Sequence, residues 1–170
     1  EWIYPLKVMN NKKNLISFYR WDDKSCITPS VISLDGLVKN KLEKNKNIKK
    51  IILFGHSYGG LLVTKFMEQW DKKLPLEVHA IASPLKGNGN FIKMCEFLPP
   101  SRVPDNSELY EWRTIKKLDG IFKNLNYDPQ NIEILGSNVT RLPETYKNNK
   151  LGHNWSLSWV ADELNELNLN

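Results

Sequence analysis

The feature that most constrains this chain is an apolar segment that leads into a glycine-rich turn and then continues with helical periodicity. The second half of Ile48-Lys-Lys-Ile-Ile-Leu-Phe54 is continuously apolar, as expected for a parallel strand that is covered on both faces. The turn Gly55-His-Ser-Tyr-Gly59 follows directly. Apolar residues then recur at helical spacing, at Leu62, Val63, Phe66, Met67 and Trp70. This segment predicts a central strand, a sharp turn and a helix from Tyr58 to about Asp71 that packs on the sheet.

Strand-like and helix-like segments alternate along the rest of the chain. Short apolar or aromatic stretches predict strands at residues 15–21, 78–82 and 132–135. Amphipathic spacing predicts a helix from Ile27 to Leu42, with Thr28-Pro29 as its start signal. A last helix is predicted to carry Trp155, Trp159, Val160, Leu164 and Leu167. Because parallel strands are joined by right-handed crossovers, this order predicts an α/β fold, a mostly parallel sheet flanked by helices on both faces.

Residues 86–126 differ in composition from the rest of the chain. They are rich in Gly, Asn and Pro and show only short helical pieces, around Phe91–Phe97 and Glu108–Leu118. We interpret this stretch as a cap-like insertion, or lid, within a single domain that spans residues 1–170. Its larger apolar residues could line an acyl site or pack in the core, and the sequence leaves both interpretations open: Phe91, Ile92, Phe97, Leu98, Tyr110 and Trp112.

Length and composition exclude several classes of protein. A chain of 170 residues can bury a core without disulfides or metals. Cys26 and Cys95 are far apart and lack the spacing of a zinc site, so neither structural zinc nor a disulfide framework is expected, and their redox state is open. No apolar run approaches the roughly 20 residues of a membrane-spanning helix, and no leader-like segment opens the chain. We therefore expect a soluble protein without an integral membrane segment.

The net charge of +5 does not by itself indicate a nucleic-acid partner. It arises from 24 Lys and Arg residues against 19 Asp and Glu residues. The lysines of stretches such as residues 39–50 are interleaved with Asn and Glu rather than with aromatic residues, which is typical of a solvated surface. We predict no nucleic-acid partner, and the sequence indicates no particular partner protein.

The turn after the central strand has the spacing G-x-S-x-G, with Ser57 at its centre. At a strand-to-helix junction this spacing is typical of a strained turn that projects a serine hydroxyl above the sheet. Gly55 and Gly59 would let strand and helix approach without Cβ clashes, and Gly60 adds room. The N–H of Tyr58, at the helix N-terminus, is suited to stabilise an oxyanion. A plain tight turn or a phosphate-binding loop is the alternative, although neither G-x-G-x-x-G nor a G-K-[ST] ending is present.

A serine needs a base to act as a nucleophile near neutral pH, and the chain has three histidines. His56 precedes Ser57 directly and is expected to pack around the turn. His79 lies inside a predicted strand, where a hydrogen-bonded structural histidine is expected. His153 lies in a loop that leads into the last helix, and it follows the serine in chain order. We predict that His153 is the base, with a capping or surface role as the alternative.

The motifs of this chain resemble those of the α/β-hydrolase superfamily, nearest to its lipase and esterase branches. The resemblance covers most of the chain and rests on Ile51–Gly60, on Ile81-Ala-Ser-Pro-Leu-Lys-Gly87 and on Gly152-His-Asn154. It implies an α/β-hydrolase-like fold in which Ser57 attacks an acyl carbon and His153 moves the proton. Water would then hydrolyse the acyl-enzyme.

Two parts of the superfamily pattern do not match. The acid that orients the histidine should follow the strand at 132–135, but Asn138 or Val139 stands there, and the next carboxylate is Glu144. An asparagine can hold an imidazole tautomer but cannot stabilise the imidazolium charge. The second oxyanion donor should come from a His-Gly loop, and nothing before Leu15 matches one. Because residues 2–8 resemble the short helix that follows such a loop, we expect the sequence to begin inside the fold.

The leading hypothesis is a serine hydrolase that cleaves carboxylic esters, either small acyl esters or lipids. One alternative is a hydrolase-like fold that has lost catalysis and binds an acyl ligand or a partner. Another is the same nucleophile used for acyl transfer or for thioester or peptide cleavage. No cofactor and no metal site is predicted, because metal-ligand spacings and dinucleotide fingerprints are absent from the sequence.

Overall fold

The computed structural model describes residues 2–10, 14–87 and 97–169. Four α-helices are described: α1 (Ile3–Met9), α2 (Ile27–Lys44), α3 (Tyr58–Glu68) and α4 (Trp155–Leu169). A short 3-10 helix spans Lys116–Leu118. Four strands form the main sheet: β1 (Ile51–His56), β2 (Leu76–Ile81), β3 (Ser107–Arg113) and β4 (Asn138–Arg141). A short hairpin pairs β5 (Thr145–Tyr146) with β6 (Asn149–Lys150).

The main sheet is parallel throughout its described part, in the order β1-β2-β3-β4. Its register aligns Phe54 of β1 with His79 of β2 and Tyr110 of β3. Strands that are consecutive in sequence are neighbours in the sheet and run parallel, so a crossover connection joins each pair. The predicted α/β class is confirmed.

Helices cover both faces of the sheet, as predicted. On one face α2 and α3 pack against apolar residues of β1 to β3, with Val31, Phe66, Met67, Val78 and Leu109 among the buried members. On the other face, α4 packs over Ile81 and Trp112 through Leu157 and Val160. The hydroxyl of Tyr4 donates a hydrogen bond of 2.6 Å to Asp162, which ties α1 to α4.

The structure corrects two of the predicted strands. Residues 15–21 do not form a strand, and Leu15 and Phe18 are each 57% exposed. The apolar stretch at residues 132–135 makes only an isolated bridge, between Leu135 and Arg102. Apolar and aromatic content was not enough to predict these strands correctly. The backbone N–H and C=O groups of a strand also need a neighbouring strand as their hydrogen-bond partner.

A strand was missed at Ser107–Arg113, where a short helical piece was predicted around Glu108–Leu118. The charged residues Glu111 and Arg113 obscured it, because polar residues in a central strand are unexpected. Both side chains are buried, and the Arg113 guanidinium donates to the Glu111 carboxylate at 2.7 Å. The ion pair therefore occupies positions that an apolar pattern would have filled.

The cap prediction is affected by the same strand. Residues 107–113, which the cap was predicted to include, belong to the main sheet. Phe91, Ile92 and the rest of the first predicted helical piece, except Phe97, lie outside the described residues. A cap stays a prediction for the remaining part of residues 86–126.

Cys26 also differs from expectation. It lies at the N-terminus of α2 and is disulfide-bonded. The other cysteine of the sequence, Cys95, lies outside the described residues. The long sequence separation was a poor guide, because a disulfide depends on distance in the folded chain and not along it.

Candidate functional site

The candidate site lies where the strands of the main sheet end. The N–H of Ser57 donates to the Ile81 carbonyl at 2.9 Å, and the N–H of Ala82 donates to the Trp112 carbonyl at 2.8 Å. These bonds continue the ladder of the sheet for one residue beyond the ends of β1 and β2. The loops after three parallel strands therefore leave the sheet at one edge, which is where ligands commonly bind in open α/β sheets.

Ser57 has a strained backbone conformation at the junction of β1 and α3. Its φ is +54° and its ψ is −124°, a region that residues with a Cβ rarely adopt. The strand ends at His56 and the helix begins at Tyr58, so the turn between them consists of this one residue. This is the sharp turn that the G-x-S-x-G spacing predicts.

Two glycines of the turn are needed for close packing. A Cβ on Gly55 would lie 2.2 Å from the Gly59 carbonyl oxygen, and a Cβ on Gly60 would lie 2.2 Å from Ser83 Oγ. A Cβ on Gly59 would meet nothing within 4 Å. The predicted steric role therefore belongs to Gly55 and Gly60, and for Gly59 it is wrong.

Tyr58 is the first residue of α3, and its side chain is half-buried. The amide of this residue lies at the positive end of the helix dipole, next to Ser57. Its predicted role as an oxyanion donor stays a prediction.

His153 is buried in the loop before α4 and forms a hydrogen bond with Asp119. The distance from His153 Nδ1 to Asp119 Oδ2 is 3.0 Å, and the exposed fractions of the two side chains are 8% and 0%. A carboxylate can only accept, so Nδ1 carries the hydrogen and Nε2 is the nitrogen with a lone pair. Phe122 packs edge-on against the imidazole, with ring centroids 5.1 Å apart. The ring is thus fixed both in tautomer and in orientation.

The carboxylate of Asp119 accepts four hydrogen bonds. Oδ1 accepts from the backbone N–H groups of Ile121 and Phe122, at 2.9 and 3.1 Å. Oδ2 accepts from His153 and, at 2.6 Å, from the hydroxyl of Thr114. Burial alone would raise the pKa of this carboxyl, but the hydrogen bonds from His153 and Thr114 hold the pKa below its ordinary value. The group is therefore an anion in spite of its burial.

The loop that carries His153 is anchored beside the serine turn. His56 Nε2 lies 3.0 Å from the His153 carbonyl oxygen, which can only accept, so the imidazole of His56 donates. The hydroxyl of Ser156 donates to the same oxygen. The rings of His56 and His153 have centroids 4.6 Å apart. His56 thus packs near the turn, as predicted. Because it directly precedes Ser57, its hydrogen bond also ties the serine turn to the loop of His153.

His79 is the hydrogen-bonded structural histidine that the sequence predicts. It is 1% exposed and stacks between Phe54 and Tyr110, at centroid distances of 4.6 and 5.0 Å. The indole N–H of Trp112 donates to Nδ1 at 2.9 Å, so Nε2 carries the hydrogen that is donated to Glu77 at 2.6 Å. Both ring nitrogens are used within the sheet.

None of the positions considered from the sequence for the acid lies against His153. Asn138 and Val139 are exposed on β4, and Glu144 is 68% exposed and 3.6 Å from the Lys117 ammonium. Asp119 was missed because the strand before it, β3, had been assigned to the insertion. The sequence signal for Asp119 as the acid was an Asp-Gly pair, Asp119-Gly120, six residues after Arg113. This signal is informative only when residues 107–113 are recognised as a strand of the sheet.

The predicted apolar residues of the insertion have different surroundings. Tyr110 and Trp112 are part of β3 and stack on His79. Phe97 is buried in the core beneath α2 and α3, while Leu98 is 71% exposed. For Phe97 and Trp112, core packing is the correct interpretation.

Neither a metal-binding cluster nor a membrane-spanning helix occurs among the described residues. They contain no cluster of three or more His, Cys, Asp or Glu side chains that could hold a metal ion. In the same part of the chain, no helix combines the length and the apolar character needed to cross a bilayer.

Comparison with known proteins finds similarity in structure but no match in sequence. No protein-family model matches the chain, and no curated protein matches it in sequence. The fold is similar to the crystal structure of a protein from Lactobacillus plantarum WCFS1 that is provisionally designated a cell surface hydrolase, with a TM-score of 0.50 and 17% identity. The match covers 88% of this chain, which spans 65% of the neighbour's length. At this identity the likeness shows a shared fold.

Proposed function

We propose that this chain is a serine hydrolase that cleaves carboxylic esters through an acyl-enzyme on Ser57. The observation that supports the proposal most is the buried hydrogen bond between Asp119 and His153, in a loop that is bonded to His56, the residue before Ser57 with its φ of +54°. A nucleophilic triad consists of a buried carboxylate, an imidazole whose second nitrogen has a lone pair to accept a proton, and a serine on a strained turn.

In the proposed reaction, Ser57 Oγ forms a bond to the ester carbonyl carbon while its proton moves to His153 Nε2. Collapse of the tetrahedral intermediate breaks the bond between that carbon and the alkoxy oxygen, and His153 returns the proton to the leaving alkoxide. A water molecule then attacks the acyl carbon and gives a proton to His153 Nε2. Collapse of this second intermediate breaks the bond between the acyl carbon and Ser57 Oγ, His153 returns the proton to Oγ, and the carboxylic acid is released. The Asp119 anion stabilises the imidazolium that forms in both halves of the reaction.

The oxyanion of the tetrahedral intermediate needs hydrogen-bond donors. The N–H of Tyr58, at the first position of α3, is the donor that we propose. Its orientation is set by the turn at Ser57, and the dipole of α3 adds partial positive charge there. A backbone donor of this kind requires no side chain of a particular type at position 58.

The structural neighbour is consistent with this proposal, because it is designated a hydrolase and shares the fold. Fold similarity is weak support for activity, so the proposal rests on the site. The non-catalytic alternative rests on a missing acid and on a missing oxyanion loop. The hydrogen bond from His153 to Asp119 argues against the first of these two motives. Acyl transfer and thioester or peptide cleavage would use the same three side chains and differ only in the acceptor or in the bond.

Turnover of short p-nitrophenyl esters tests the proposal. We expect saturable hydrolysis by the wild-type protein and a loss of at least a thousandfold in kcat for Ser57→Ala. Ser33→Ala, at an exposed position of α2, is the matched control and should leave the rate unchanged. Equal rates for Ser57→Ala and the wild type would contradict the proposal.

A further inference from the structure

The acid of the proposed triad is held by a second buried polar pair, Thr114 and Gln130. Thr114 is the first residue after β3 and is 0% exposed, and Gln130 is 1% exposed. The loop between them carries Asp119. Polar side chains are rarely buried unless hydrogen bonds satisfy them. Thr114 and Gln130 are hydrogen-bonded to each other, and Thr114 is also bonded to Asp119.

The side-chain amide of Gln130 forms hydrogen bonds with both the N–H and the carbonyl of Thr114. Gln130 Oε1 accepts from the Thr114 N–H at 2.8 Å, and Gln130 Nε2 donates to the Thr114 carbonyl at 3.0 Å. A flipped amide would face a donor with a donor and an acceptor with an acceptor, so its orientation is fixed. The guanidinium of Arg141 donates to the same carbonyl at 2.6 Å. The backbone of Thr114 is thereby anchored just beyond the end of β3.

The hydroxyl of Thr114 has one hydrogen, and two oxygens lie within reach. Asp119 Oδ2 is 2.6 Å away and Gln130 Oε1 is 3.1 Å away. The hydrogen goes to the carboxylate, because an anionic acceptor at the shorter distance forms the stronger bond. The hydroxyl is therefore committed to the same carboxylate oxygen that accepts from His153.

We propose that Thr114 is a positioning residue, whose hydroxyl holds Asp119 Oδ2 in line with His153 Nδ1, and that Gln130 fixes Thr114 for this task. The proposal rests on the proposed function for its effect on rate, but its structural consequence can be measured without any substrate. Without the hydroxyl, Oδ2 keeps only the bond from His153, and the carboxylate can rotate about the two backbone bonds that hold Oδ1.

Three substitutions separate the hydroxyl from the shape of the side chain. Thr114→Ser keeps the hydroxyl and loses the methyl group, Thr114→Ala loses both, and Thr114→Val replaces the hydroxyl by a methyl group at nearly constant volume. The comparison of Ser with Ala isolates the hydroxyl, so the test stands even if the Val variant does not fold.

The first measurement is the low-field proton NMR signal of His153 Nδ1–H, assigned by its loss in His153→Gln. We expect Thr114→Ser to retain the signal near the wild-type position, and Thr114→Ala and Thr114→Val to shift it upfield or broaden it by exchange. A signal that is unchanged in folded Ala or Val variants would overturn the proposal. This reading does not depend on esterase activity.

The second measurement is the kinetics of ester hydrolysis by the same variants. We expect kcat to fall by roughly ten- to a hundredfold in Thr114→Ala and Thr114→Val, the size of a lost hydrogen bond to a charged group, with little change in KM. Thr114→Ser should recover most of the rate. A lower melting temperature with an unchanged kcat would show a purely structural role and would also overturn the proposal. An inactive wild-type protein would reject the proposed function and leave the NMR result to decide this inference.

Discussion

The imidazole of His153 lies 3.0 Å from the carboxylate of Asp119, although 34 positions separate the two residues in the chain. The contact joins the loop after β3 to the loop before α4, and both side chains are buried. A carboxylate in this position determines which nitrogen of the imidazole is free to accept a proton.

Asp119→Asn should reduce kcat for ester hydrolysis by about 10⁴ while KM changes little, because the amide cannot stabilise the imidazolium and can favour the wrong tautomer. Glu144→Gln is the control: Glu144 is the carboxylate that the sequence brought into consideration, and it is 68% exposed. Steady-state kinetics of both variants provide the check. A reduction of less than tenfold in Asp119→Asn, or an equal loss in Glu144→Gln, would show that Asp119 is not the acid.

Gly55→Ala should destabilise the protein by about 3 kcal/mol or more, because the added Cβ would lie 2.2 Å from the Gly59 carbonyl oxygen, which belongs to the backbone of α3. Gly36→Ala is the matched control within α2, where the added Cβ meets nothing within 4 Å. It should stabilise the protein by about 0.5–1 kcal/mol, since alanine is the better helix former. Urea unfolding measures both changes. Similar free energies of unfolding for the two variants would refute the packing role of Gly55.

Glu77 should make the stability depend on pH in the acid range. The hydrogen bond from His79 and the ion pair with Lys50 outweigh burial and lower the pKa of this carboxyl from 4.5 to about 2. Because the pKa is lower in the folded state, the stabilisation, about 3 kcal/mol, is complete above pH 4.5 and is lost as the pH falls towards 2.

Unfolding free energies of the wild type and Glu77→Gln should therefore differ most near neutral pH and converge between pH 4.5 and pH 2. Glu108→Gln, at a carboxylate that is 55% exposed and 3.6 Å from the same lysine, should show a much smaller dependence. A difference between the wild type and Glu77→Gln that is constant with pH would contradict the assignment.

Reduction should destabilise the wild-type protein, because Cys26 is disulfide-bonded. We expect a loss of about 2–4 kcal/mol in the free energy of unfolding on adding a thiol reductant. Cys26→Ser should show the lower stability from the start and no further response to the reductant. Equal stability of the wild type with and without reductant would contradict a stabilising disulfide.

The predictable part of the fold was the part with regular apolar patterns. The continuous apolar run before Gly55 and the helical spacing after Gly60 identified β1 and α3, and the glycine spacing identified the turn at Ser57. These features are local, because the strand, the turn and the helix are adjacent in sequence. The fold class followed from the order of such segments.

The acid could not be predicted in the same way. Its identification depends on β3, and β3 carries the buried pair Glu111 and Arg113. Their charges are satisfied by each other, by the Ser137 hydroxyl and by the Ile132 carbonyl. A pairing between residues of one strand face cannot be read from hydrophobic periodicity. Once β3 is misassigned, Asp119 becomes a loop residue of the insertion, and the search for an acid moves to Asn138 and Glu144.

Labelling by a fluorophosphonate probe tests most directly whether Ser57 is an activated nucleophile. The probe forms a stable bond only with a serine whose hydroxyl is deprotonated by a neighbouring base, so peptide mapping by mass spectrometry reports both the residue and its activation. We predict a single adduct on the peptide that contains Ser57, lost in Ser57→Ala and strongly slowed in His153→Gln. A folded wild-type protein that remains unlabelled, or that is labelled equally in the Ser57→Ala variant, would contradict the account.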